Sequence, residues 1–243
     1  MHRIITIAGS ALLMIFSVTG AYIYYARAQG LQVEVNQLPT DSGVIPVEIK
    51  DVKTWMSNPS ELTELSFVVK NNSSKAISSV VVIFGLITEK NGQLFVDHHF
   101  VTSDIQVHPD ILAIHHFKPL APGKEKYLDT PSNSYGDGRA IKGVTLNVDY
   151  VEFADNSTLG PNKMGGRIVT LQREGARLYK NWLVRESASK DILSIVLTLK
   201  NPALPTEIAN TSMYLKQGAN IYRKHLLRAY ESGHEDIKKF LNP

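Results

Sequence analysis

The sequence predicts an α+β protein: an antiparallel β-sandwich, then a C-terminal α-helical region, with a hydrophobic helix at the N-terminus. Three observations predict it. Between residues 47 and 160 short apolar runs alternate with polar residues at period two and are separated by turn residues. After Gly165-Gly166 the apolar spacing changes to three and four. From Ile4 to Ala26 the chain carries no charge.

The bulk composition excludes several classes. Of 243 residues, 43% are apolar and 20% charged, the balance of a folded globular chain rather than a disordered one. Cysteine is absent, which removes disulfides, thiol catalysis, Cys-based zinc sites and the lipid-modified Cys of a lipoprotein. The net charge of +3 is uneven: residues 1–164 carry 13 Lys+Arg against 16 Asp+Glu, and residues 165–243 carry 13 against 7. The two parts differ in character, as two structural regions do.

The order begins with residues 1–28. The uncharged run of about 23 residues makes a helix of roughly 34 Å, enough to cross a hydrocarbon core of ~30 Å. Tyr22, Tyr24 and Tyr25 stand at its far end, where an interfacial belt sits. Ala26-Arg27-Ala28 also fits a small-x-small cleavage site, so the segment reads either as a membrane anchor or as a signal peptide. Both place the remainder outside the cytoplasm. Residues 29–46 read as a linker, with Leu31, Val33 and Val35 alternating and Pro39 to Gly43 in turn chemistry.

The β region, residues 47–160, centres on Leu62 to Ile87. Two β-branched runs flank Asn71-Asn72-Ser73-Ser74-Lys75 and read as paired strands. The first is apolar on one face, through Leu65, Phe67 and Val69. The second is apolar on both, with Val80, Val82, Phe84 and Leu86 opposite Val81, Ile83 and Ile87. Such a strand needs a cover on each side, and the helical region is the natural second cover. Lys90-Asn91-Gly92 is a hairpin turn. Strands follow over Leu94–Val101, Ile105–Phe117 and Lys124–Leu128. Asp129–Gly143 reads as a loop. Val144, Leu146, Val148 and Tyr150 then alternate, and Asp149, Glu152 and Asp155 read as a solvated rim at the strand end.

The strand–Lys70-Asn71-Asn72-Ser73–strand unit, the Leu120-Ala121-Pro122-Gly123-Lys124 turn and the Val144–Phe153 strand resemble the immunoglobulin-like or fibronectin-type-III-like modules of bacterial exported proteins. The resemblance covers residues 47–155 and lacks the Cys…Trp…Cys core of antibody domains. It implies a module that binds partners or acts as a spacer.

Residues 165–243 read as a helical extension packed on the sandwich. Ile168, Leu171, Gly175, Leu178 and Trp182 form an amphipathic stripe. Ile192–Lys200 fits a helix or a strand. A longer helix runs from Thr206 to Glu231, striped by Ile208, Leu215, Ala219, Tyr222, Leu226 and Ala229, and Gly233 ends it. Gly218 weakens that helix by up to ~1 kcal/mol.

Two constellations carry possible chemistry. Five of eight histidines lie between His98 and His116, and a hairpin would bring His98, His108 and His115 toward one zinc or copper ion. Adjacent strand residues face opposite ways, so each His-His pair offers one ligand per site. Tyr127, Tyr135 and Tyr150 flank the Asp129–Gly143 loop, where aromatic faces stack on sugars or peptides. Catalytic motifs for serine hydrolysis, phosphate cradling and His-Glu-x-x-His zinc proteases are absent from the sequence. The expected function is a non-catalytic binding or structural module of the cell envelope, or secreted, with a protein or glycan partner, no cofactor and no nucleic acid. The alternatives are a metal-binding protein or metal-dependent enzyme using the histidine hairpin, and an anionic-lipid or nucleic-acid binder using the basic helices.

Overall fold

A computed structural model describes residues 31–36, 39–40, 43–107, 118–130 and 135–233. The protein is α+β. A first sheet has the order β1 (Gln32–Asn36), β9 (Ala140–Phe153), β6 (Ile77–Lys90), β7 (Gln93–Asp104), with β10 (Thr158–Leu159) also on β9. A second sheet has the order β4 (Val47–Asn58), β5 (Glu61–Asn71), β8 (Glu125–Asp129). Pro39–Thr40 (β2) and Gly43–Val44 (β3) pair as a small ribbon.

The two sheets share one apolar core. Ile49, Leu65, Phe67 and Val69 enter it from the second sheet, and Val80, Val82, Phe84, Leu86, Val144, Leu146 and Val148 from the first. Every one of these is alternate along its strand, as a pleated surface with one buried face requires. Residues 29–46, read as a linker, contribute a strand: Leu31, Val33 and Val35 are buried, and β1 runs parallel to β9. The first sheet is therefore mixed rather than purely antiparallel.

Two expectations fail at the centre of the chain. β5 and β6 do not pair with each other. They lie in opposite sheets, and the Asn72–Ala76 connection arches between layers. Asn71 holds the arch: its buried side chain donates to Lys75 O (2.8 Å) and Leu120 O (2.7 Å) and accepts from Ser73 N (2.9 Å). The second failure is the face of Tyr150. β9 bulges at Asp149, since Val82 opposes Val148 while Val81 opposes Tyr150. One extra residue reverses the alternation. Tyr150 and Glu152 therefore turn away from the core that holds Val144, Leu146 and Val148, while Val151 and Phe153 enter it.

Helices cover the outer face at this end of the first sheet. They are α1 (Gly165–Ser187), α2 (Ile192–Lys200), α3 (Thr206–Ala209) and α4 (Met213–Glu231). Val81 packs with Tyr150, Ile168 and Val169, and Ile83 is half-buried. Burying such side chains contributes about 1.5–3 kcal/mol each. Ile192–Lys200 resolves as a helix: Asp191 caps Ser194 N at 2.8 Å, and Ile195, Val196 and Leu199 share its buried face. The Thr206–Glu231 stretch breaks at Asn210–Ser212, where Ser212 starts α4 by accepting from Leu215 N. Arg223, buried on α4, donates to Leu199 O and Asn201 O and so closes the C-terminal end of α2. The buried stripe of α1 is rotated from the expected one: Gln172, Ala176, Tyr179 and Leu183 are buried, and Leu171, Leu178 and Trp182 only partly.

α1 and α4 cross with their backbones in contact. A Cβ on Gly175 would stand 2.0 Å from Leu215 O, and one on Gly218 would stand 1.8 Å from Gln172 O. Gly218 thus allows the crossing that more than offsets its propensity cost. Gly218→Ala should lower stability by about 1–3 kcal/mol through overpacking, read as a lower urea midpoint. A surface glycine would show the reverse, a gain near 1 kcal/mol.

Candidate binding trough between strand β7 and helix α4

The helices are set on the sheet by a polar seam on β9. Asp149, buried at the bulge, accepts from Lys163 N (3.1 Å), Met164 N (3.0 Å) and Gly165 N (2.7 Å). These are free donors at the start of α1, and a carboxylate there also opposes the positive end of the helix dipole. About two turns on, Arg173 donates to Asp104 (2.8 and 3.0 Å), to Glu152 (3.1 Å) and to Ser79 (2.9 Å). Asp104 and Glu152 are almost wholly buried, with side chains 1% and 7% exposed. Burial disfavours the Arg173 charge, but the bonds and charges of Asp104 and Glu152 outweigh it and hold its pKa above the ordinary value. The Tyr150 hydroxyl donates to Glu152 at 2.8 Å, and burial followed by that bond raises its pKa. The expected solvated rim is thus buried at Asp149 and Glu152, and only Asp155 of the three is exposed.

Fixed this way, α4 stands beside the outer edge of β7. Two adjoining clefts of ≈ 200 Å³ and ≈ 270 Å³ lie between them and share Phe100 and Gln217. His98, Phe100 and Thr102 point to the helix side of the sheet, whereas His99 and Val101 point to the core side, yet all five line the clefts. Alternating residues of one strand meet a common space only along the strand edge. The trough therefore runs along the β7 backbone. Among the described residues no strand pairs with that edge. Every second N–H and C=O of an edge strand points outward.

The trough grades from apolar to polar. At one end Met164, Met213, Ile168, Phe100 and Tyr214 meet, with the two rings 5.2 Å apart. At the other stand Asn220, Lys224 and Gln172. Gln172 is buried, its amide donates to Gln217 at 3.4 Å, and its Oε1 has no partner among the described residues. Methionines and aromatics form adaptable apolar contacts, and a buried free carbonyl favours a ligand that brings a donor.

The expected site residues are dispersed. His98 and His99 take opposite faces of β7, with His99 stacked on Phe84 at 5.1 Å and its Nε2 3.2 Å from the Asp97 carboxylate. His108 and His115 lie outside the described residues, among which no group of three or more His, Asp or Glu is placed to hold a metal. Tyr127 is exposed on β8, Tyr135 packs edge-on to Phe84 and His99, and Tyr150 is buried under α1. Of these, His98 and Tyr135 line the trough. The trough residues on α4 carry a visible signal, since Tyr214, Gln217, Ile221 and Lys224 recur at three- and four-residue spacing beside the buried stripe.

Arg173→Met would leave two buried carboxylates without their cation, and should cost about 3–5 kcal/mol in urea unfolding. The exposed Arg177–Glu174 pair is the control: Arg177→Met should leave the midpoint unchanged. Equal midpoints for the two variants would remove the seam from the account.

No family model matches the chain, and no curated protein matches it. Among solved structures, a hypothetical protein from Peptoclostridium difficile 630 aligns at 17% identity with a TM-score of 0.30, covering 48% of this chain and 86% of that one.

Proposed function

We propose that the protein is a non-catalytic, extracytoplasmic binding module of immunoglobulin-like sandwich type, and that it takes an extended polypeptide along the edge of β7. The observation that supports this reading is the trough itself, in which a strand edge that no described strand pairs with faces the Tyr214–Lys224 side of a helix. An incoming strand gains main-chain hydrogen bonds from such an edge, and side-chain pockets then give it selectivity. Residues 98–102 offer about 14 Å of edge, room for four or five residues. The Met164–Met213–Tyr214 end favours an apolar or aromatic side chain, and the Gln172–Lys224 end, which Asp129 also lines, a polar one that brings a donor.

The polar seam supports a binding role in a second way. The buried carboxylates Asp104, Asp149 and Glu152 spend their acceptor capacity on a helix start, an arginine and neighbouring side chains. They serve position rather than proton transfer. The extracytoplasmic setting rests on the Ile4–Ala26 run, which lies outside the described residues; among those described, no helix is long and apolar enough to cross a membrane.

Peptides selected from a random display library on the full chain test the reading. Their complexes should slow amide exchange at residues 98–102, and Tyr214→Ala should weaken them about tenfold, or ~1.4 kcal/mol. Selected peptides that leave β7 exchange unchanged would place the binding surface elsewhere.

A further inference from the structure

The first sheet has two unlike ends. At one end the β9–β10 turn carries half-buried Ser157 and the exposed Lys75–Asp155 ion pair at 2.7 Å. At the other, the β6–β7 hairpin presents three consecutive large apolar residues to solvent: Leu94 is 66% exposed, Phe95 39% and Val96 50%. The hairpin turns through Asn91 and Gly92, both at positive φ, as a tight two-residue turn requires. The Arg139 guanidinium covers one side of Phe95, 4.4 Å from its ring centroid, and the rest of an exposed apolar run at a strand edge invites aggregation unless something covers it.

The strand register says where this tip stands relative to the N-terminal segment. Gln32, the first residue of β1, opposes Gly143, which opposes Ile87, which opposes Val96. β1 therefore begins in the row of Val96 and runs away from the tip, so the chain enters it from the tip's side. Phe95 and Leu94 project beyond that row by up to two residues, about 7 Å. The tip stands three strands across, about 14 Å. Residues 27–30 separate Leu31 from the uncharged 4–26 run, and four residues reach at most about 14 Å. A bilayer that held the 4–26 run would thus be drawn up against this end of the sheet. The β4–β5 turn lies at the same end, since Pro59 O accepts from Ile141 N at 2.8 Å, and three residues above Asn58 Trp55 is 49% exposed. Tryptophan at that height suits the headgroup layer.

We propose that this end of the protein faces the membrane, and that Leu94, Phe95 and Val96 insert into the interface of the bilayer that holds residues 4–26. The inference rests on the extracytoplasmic reading above and adds a retained anchor and a fixed orientation. It directs the β7–α4 trough to the side of a membrane-standing molecule, with the helices farther from the lipid than the hairpin tip.

The absence of cysteine makes the test clean. The full chain is reconstituted in phosphatidylcholine–phosphatidylglycerol vesicles with a polarity-sensitive dye on Leu94→Cys or, at the opposite end, on Ser157→Cys. Spin-labelled lipids should quench the dye at 94 several-fold more than at 157. Adding Phe95→Asp and Val96→Asp should abolish that difference while the chain still resists carbonate extraction; these residues are exposed, so the variant folds. Equal, weak quenching at both positions in a carbonate-resistant chain would overturn the orientation alone. Release of the chain by carbonate, or its recovery without residues 1–28 from its native envelope, would overturn the retained anchor and the insertion with it, and would leave the trough untouched.

Discussion

One irregularity in β9 decides how this protein is assembled. Without the bulge at Asp149 the alternation would send Tyr150 and Glu152 into the inter-sheet core. With it, Asp149, Tyr150 and Glu152 turn away from the inter-sheet core while Val151 enters it. On the helix side Asp149 receives the first N–H groups of α1, and Glu152 joins Asp104 in holding Arg173. A buried ion pair gains little over an apolar contact of the same shape, but it is strict about geometry. In this protein that strictness fixes the axis of α1 over β6 and β9. The Gly175–Gly218 crossing then carries the placement to α4, and the position of α4 creates the trough.

The layering was legible because it depends on periodicity. β6 reads as apolar on both faces, and it is covered on both: by the second sheet through Val80, Val82, Phe84 and Leu86, and by α1 through Val81. Gly165–Ser187 was legible as a helix for the same reason, whereas Ile192–Lys200 was open between helix and strand and the break at Asn210–Ser212 was not read. The pairing of strands was not legible, because an Asn-rich connection serves a hairpin and an inter-sheet arch alike, and only the long-range bond from Asn71 to Leu120 O separates them. The bulge left a trace that alternation alone obscured. Core residues recur at 141, 144, 146, 148, 151 and 153, and each of the two steps of three falls at a register shift, the second being the bulge at Asp149.

The candidate site was less legible than the fold. Histidines and tyrosines stand out in a sequence, but their faces depend on register and on the bulge, so clustering in sequence did not become clustering in space. Tyr150 shows it best: it looked like a loop-flanking aromatic and is a buried donor to Glu152. The trough is made largely of strand backbone and of helix residues next to the buried stripe, and a backbone edge has no residue signature. Burial of the acidic trio was equally hidden, because the sequence shows Asp149 and Glu152 near a strand end without the helix that covers them.

If the seam and the glycine crossing do what is argued, sheets and helices unfold together. The two tryptophans report on the two parts separately, Trp55 on β4 and Trp182 on α1. Urea unfolding of the single-tryptophan variants Trp55→Phe and Trp182→Phe, each followed by fluorescence and by far-ultraviolet circular dichroism, measures that coupling directly. Coincident transitions from both probes within each variant are the expected result. A Trp182 transition well below that of Trp55, with the sheets still folded, would contradict the account.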